Sequence, residues 1–98
     1  MKFDIQLSRS TIEALKRLRK FDQQRIRDAL VAQLSLDPLA ETRNRKKLRA
    51  NGLAQWELRV GKYRVFYKVL QDENVVQILA LGYKEGNKLL ILDEEFES

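Results

Sequence analysis

Two groups of cations carry most of the chemistry this chain could perform. Arg43, Arg45, Lys46, Lys47 and Arg49 fall within seven positions. Further on, Arg59, Lys62, Arg64 and Lys84 are interleaved with Tyr63, Tyr67 and Tyr83, and Glu57 lies two residues before Arg59. The chain has no histidine and no cysteine, which removes the usual general base, thiolate chemistry, disulfides and the commonest metal ligands. Neither a metal site nor a cofactor is expected. Proton transfer and charge stabilisation must run on Lys, Arg, Tyr, Asp or Glu. Guanidinium and ammonium groups at such density suit phosphates, and each phosphate neutralised adds to the salt dependence of binding. The residues expected to contact a polyanion such as RNA are Arg43, Arg45, Lys46, Lys47, Arg49 and Lys62. A solvated basic connection accounts for the first cluster equally well when that cluster is taken alone.

The charge of the whole chain points the same way. Net charge is +5, but Asp93, Glu94, Glu95 and Glu97 lie in the last six positions. Residues 1–92 therefore hold nineteen basic against ten acidic side chains, a charge of +9. Such a body attracts phosphate backbones and speeds association, without specifying a sequence. With 44% hydrophobic and 34% charged residues in 98, the chain is expected to form one globular domain over 1–98 with a short acidic tail at 93–98. No apolar run reaches the roughly 20 residues of a spanning helix, and residues 1–4 do not resemble a signal peptide, so a cytoplasmic protein is expected, with no membrane partner.

The elements that must position these groups are legible as two periodicities. Residues 2–7 alternate Phe3, Ile5 and Leu7 with polar positions, the period of a half-buried strand. Ser8 or Ser10 offers an N-cap, Ser10 with Glu13 fits a capping box, and Ile12, Leu15 and Leu18 form a helical stripe to about Lys20. Asp22 is expected to cap a second helix through Ile26, Ala29, Leu30 and Leu34, ended by Asp37-Pro38. Residues 39–54 show neither period and read as a basic loop that enters a strand near Leu48. Trp56, Leu58 and Val60 then alternate with polar residues, Gly61-Lys62 supplies a tight turn, and a strand runs from Tyr63 to Leu70. After a turn at Asp72-Glu73-Asn74, residues 75–81 are apolar on both faces, as in a central strand, which Gly82 is expected to end. A polar loop and the apolar segment Leu89–Leu92 follow. The expected fold is α+β: an N-terminal strand and a helical hairpin packed on one face of a twisted antiparallel sheet, with helices near 8–20 and 22–36 and strands near 2–7, 55–60, 62–70 and 74–82.

The series Lys46-Lys47-Leu48-Arg49, then Leu58-Arg59-Val60-Gly61-Lys62-Tyr63-Arg64-Val65-Phe66-Tyr67, then Gly82-Tyr83-Lys84 resembles the RelE/ParE toxin superfamily of type II toxin-antitoxin systems, with the RelE-like branch preferred. The resemblance covers nearly the whole chain. It implies the same fold, and a ribosome-dependent messenger RNA interferase, an endoribonuclease that inhibits translation. Its implied partners are a small acidic antitoxin, in a hetero-oligomer, and the ribosome with its mRNA. Such cleavage must assist loss of the ribose 2′-OH proton, stabilise charge at phosphorus and protonate the leaving 5′ oxygen. Arg64 coincides with a family arginine that contacts the scissile phosphate, and Lys84 falls where a second arginine is usual. The resemblance departs at Gln55 and Glu57, where lysines are found in the best-known branch, and at Leu90, where a late tyrosine stands. Arg59 is then expected to supply part of the charge, leaving the proton to Glu57 or Tyr83. The resemblance also leaves open a ParE-like inhibitor of DNA gyrase, and a non-catalytic remnant that binds only RNA or antitoxin.

Two expectations concern orientation. Arg64 should project from the open face of the sheet near Arg59 and Lys84, around an anion-sized gap; the plainer alternative is that Arg59 and Arg64 flank a hairpin and pair with Glu57. Trp56, Tyr63 and Tyr67 could stack bases, but alternation with Leu58, Val65 and Val69 favours core packing for Trp56 and Tyr67.

Overall fold

A computed structural model describes residues 2–92; the acidic tail at 93–98 lies outside the described residues. The first strand, β1 (Asp4–Leu7), leads into α1 (Arg9–Lys16). Ser8 caps α1, its Oγ accepting from the Thr11 backbone N–H at 3.1 Å, while Ser10 reaches Ser8 through its hydroxyl. The helix stops four residues earlier than its periodicity suggests. Backbone N–H groups of Arg17 and Leu18 turn back to Ala14 and Leu15, tightening the last turn, and Leu18 packs against the core from beyond the helix end. The second helix, α2, spans Lys20–Leu34 with Arg19 at the N-cap. Asp22 is therefore inside the first turn rather than capping it, a place that still suits a carboxylate near the positive end of the helix dipole.

Five further strands follow: β2 (Arg45–Lys47), β3 (Trp56–Val60), β4 (Tyr63–Leu70), β5 (Val75–Glu85) and β6 (Lys88–Ile91). Strand order is β1-β5-β4-β3-β2, with β6 also pairing β5. The β2-β3-β4-β5-β6 pairings are antiparallel, but β1 runs parallel to β5 with Asp4 opposite Val75 and Leu7 opposite Ile78. Alternation in residues 2–7 reports which face is buried, not direction, and no hairpin turn joins these two strands to fix it. The basic segment forms its strand three residues before Leu48. Gly82 does not end β5. A Cβ there would lie 2.7 Å from the Leu90 carbonyl oxygen and 3.3 Å from Ile91, so the glycine permits the close approach of β6.

Ala14 and Leu15 of α1 and Ile26, Leu30 and Leu34 of α2 pack on Trp56, Leu58, Val60, Tyr63, Val65, Tyr67, Val76, Ile78 and Leu81 to form the core. Both helices thus cover one face. Trp56 and Tyr67 belong to that core, ring centroids 6.1 Å apart and 16° from parallel, and the Tyr67 hydroxyl donates to the Pro38 carbonyl at 2.9 Å. No described helix is long and apolar enough to cross a membrane.

Candidate functional site

The second face of the sheet is fixed by the same alternation that fixes the core. Since Trp56, Leu58 and Val60 point to the helices, Glu57 and Arg59 of β3 point away, and so do their partners across the ladder. Glu57 lies opposite Phe66, and Arg59 opposite Arg64; Phe66 lies opposite Ala80, and Arg64 opposite Gly82. Lys46 on β2 faces Glu57. Lys84, two residues beyond Gly82, shares this face and is exposed. Four strands therefore bring Lys46, Glu57, Arg59, Arg64 and Lys84 to one surface, with buried Phe66 and Ala80 as its apolar floor.

Arg64 departs from the expected open pose. It is only 7% exposed, and its Nη1 donates to the Gly61 and Tyr63 carbonyls, both at 2.9 Å. Its Nε is 3.7 Å from Glu57 Oε2. The hairpin turn presents two carbonyls within reach, and Glu57 is the diagonal neighbour across β3 and β4, so the guanidinium lies along the sheet instead of standing out from it. The pairing with Glu57 holds for Arg64, while Arg59 is exposed. Lys46, Arg59 and Lys84 are the cations of this surface that face solvent.

Three other expected site residues have different surroundings. Arg45 is buried on the helix side, opposite Leu58; its Nη1 donates to the Gln33 carbonyl at 2.5 Å and to that of Asp37. It holds the Gln33 carbonyl in the last turn of α2 and the Asp37 carbonyl beyond it, so its charge is spent inside the protein, away from solvent. Tyr83 faces Tyr63 in the ladder and packs against the core, on the opposite face from Arg64, so it cannot share a phosphate with that arginine. Lys62 rests over the Tyr63 and Tyr83 rings, 5.6 and 5.9 Å from their centroids. Arg43, Lys46, Lys47 and Arg49 remain exposed.

Tyr63 and Tyr67, on the helix side, are poor proton carriers. Burial pushes the Tyr63 hydroxyl above its usual range, helped by its hydrogen bond to Asp22 Oδ2 at 3.1 Å. Burial raises Tyr67 further, against a smaller opposing effect of Arg45. Leu90, standing where the family tyrosine was expected, lies on exposed β6 opposite Tyr83 and has no titratable group. On strands β2 to β5, Glu57 is the carboxylate that alternation places on the open face.

Residues 5–87 match the family model described as the ParE toxin of the type II toxin-antitoxin system, parDE, a match over most of the chain. The chain belongs to the RelE/ParE superfamily of type II toxins. Among solved structures, the toxin superposes with a TM-score of 0.74 on a chain of the toxin-antitoxin complex RelBE2 from Mycobacterium tuberculosis, at 21% identity over 86% of this chain and 93% of that one. A chain of the archaeal RelE-RelB complex from Pyrococcus horikoshii OT3 gives 0.66 at 27% identity, over 90% of this chain and 100% of the other. The intact E. coli RelBE complex gives 0.51 at 18%, over 85% and 98%. No curated protein matches the toxin in sequence.

Sequence reasoning missed the role of Gln55, whose side-chain carbonyl accepts from the Val69 N–H at 3.1 Å. It also missed a basin formed by the 48–55 loop. That loop is shaped by Asn51, which accepts from the Leu53 and Ala54 N–H groups and donates to the Arg49 and Ala54 carbonyls. An asparagine among small residues is the local signal for such a loop.

Proposed function

We propose that the toxin is a RelE-like interferase that cleaves mRNA on the ribosome and is restrained by a cognate antitoxin. The observation that supports this reading best is the row of charges on the open face: exposed Arg59 and Lys84 flank the Arg64–Glu57 pair, on the three adjacent strands β3, β4 and β5. A pair this enclosed gives little net stability relative to an apolar pair, which favours a chemical role for it. In this reading Glu57, held by Arg64 Nε, accepts the 2′-OH proton. The 2′ oxygen attacks phosphorus, the bond to the 5′ oxygen breaks, and Arg59 with Arg64 stabilises the extra charge. The Lys84 ammonium gives its proton to the departing 5′ oxygen, leaving a 2′,3′-cyclic phosphate and a free 5′ hydroxyl. Lysine at position 84 keeps the charge but lacks the fork of a guanidinium.

A second reading, inhibition of DNA gyrase, draws support from the ParE description of the matching family model and from the departures at Glu57 and Leu90. The two are separated by adding purified toxin to ribosomes programmed with a defined mRNA and, in parallel, to gyrase with relaxed plasmid. Cuts at a fixed position within the codon are expected. Intact mRNA together with loss of supercoiling would transfer the function to gyrase, and neither effect would leave a protein that only binds.

A further inference from the structure

The basin made by the 48–55 loop has no role in the chemistry above. It encloses about 620 Å³, within the range of small-ligand sites. Its apolar lining comes from Leu39, Leu48, Leu53 and Trp56, and three cationic residues, Lys47, Arg49 and Lys68, also line it. Glu41, whose Oε2 lies 3.5 Å from the Lys47 backbone nitrogen, is not among its lining residues. An apolar hollow edged by cations suits a flat, weakly polar body that carries negative charge at one end.

The basin lies at the edge of the sheet and shares Lys68 with the open face. Arg64, Phe66 and Lys68 alternate along β4 and share one side of the sheet, so Lys68 belongs to both, roughly 13 Å from Arg64 at ~3.3 Å per strand residue. A single strand crossing the Arg64–Glu57 pair and running along β4 would arrive there with its next bases. We propose that the basin is a nucleotide subsite: it takes one base of the single-stranded RNA against Leu48, Leu53 and Leu39, with the adjoining phosphate on Lys68, Lys47 and Arg49. This rests on the interferase reading and adds to it a determinant of which codons are cut.

Trp56 is the chain's only tryptophan and lines the basin, so its fluorescence reports occupancy without any ribosome. The full-length toxin is titrated with nucleoside 5′-monophosphates, and with a trinucleotide carrying 2′-O-methyl groups, which block attack on phosphorus. Saturable change in Trp56 emission is expected with both, the trinucleotide binding more tightly. Two variants keep the test independent of folding. Lys68→Ala removes one cation. Gly52→Phe adds bulk at a lining position where an added Cβ meets nothing within 4 Å. Each should weaken trinucleotide binding about tenfold while the melting temperature stays close to that of the wild type. On programmed ribosomes Gly52→Phe should redistribute cuts among codons. Saturable emission change with an acidic, leucine-containing peptide but not with either nucleotide would overturn the proposal in favour of a protein segment. No saturable response, or undiminished nucleotide binding by Gly52→Phe, would also overturn it. Because these titrations need no cleavage, their failure is distinguishable from failure of the interferase reading, which shows as intact mRNA with wild-type toxin.

Discussion

Arg45 and Arg64 both sit in strands of a basic toxin, and both have guanidinium groups committed within the protein, with different consequences. Arg45 closes the end of α2, so Arg45→Ala should cost about 2–3 kcal/mol, the range for a charged hydrogen bond removed from buried partners. That is a fall in melting temperature of roughly 10 °C or more for a domain of this size, readable by thermal denaturation. Arg45→Lys should recover only part, since an ammonium keeps the charge but lacks the Nε–H that reaches the Thr42 hydroxyl at 3.4 Å while Nη1 holds Gln33 and Asp37. Residue types were legible in the sequence, but their assignments were not. Five cations in seven positions read as one patch, yet strand alternation turns Arg45 inward while Lys46 faces outward, and nothing in residues 39–54 carried a period that could reveal this. The same alternation, visible for β3 and β4, put Arg64 on the correct face. What it could not show was that the Gly61 and Tyr63 carbonyls would draw the guanidinium down along the sheet.

At the scale of elements, the helical hairpin and the strands from Trp56 to Leu81 follow from periodicity, and β1 was recognised without its direction. The break between α1 and α2 was expected a few residues late, because Leu18 continues the apolar stripe of α1 and packs on the core although it lies beyond the helix end. Ser8 should prove the working cap: Ser8→Ala is expected to lower stability by ~1 kcal/mol, whereas Ser10→Ala, which leaves the Thr11 N–H partnered, should cost less in the same urea titration. The sheet also sets a pH limit. Tyr67 ionises at higher pH in the folded than in the unfolded chain, so the fold favours its neutral form. That contribution is complete below the ordinary tyrosine value of ~10 and is lost as pH rises above it, because the unfolded state then binds fewer protons. Stability measured between pH 9 and 11 should fall, and Tyr67→Phe should reduce the slope while lowering stability at neutral pH, through the unpaired Pro38 carbonyl.

For the whole molecule, the sheet separates two faces: helices and core on one side, and on the other the row of Lys46, Arg59, Arg64 and Lys84. Binding to single-stranded RNA should weaken with salt, and neutralising Lys46, Lys47 and Arg49 together should lower the slope by roughly 0.7 for each phosphate they no longer neutralise. Adding Arg45→Gln should leave that slope unchanged, since its charge faces the end of α2. The most direct test of the central claim is single-turnover cleavage of mRNA on programmed ribosomes by wild type and Arg64→Ala, compared at temperatures where both are fully folded by circular dichroism. If Arg64 orients Glu57 and stabilises charge at phosphorus, the variant should cut two to three powers of ten more slowly, about 3–4 kcal/mol of transition-state stabilisation. Cleavage by Arg64→Ala at the wild-type rate would contradict the account.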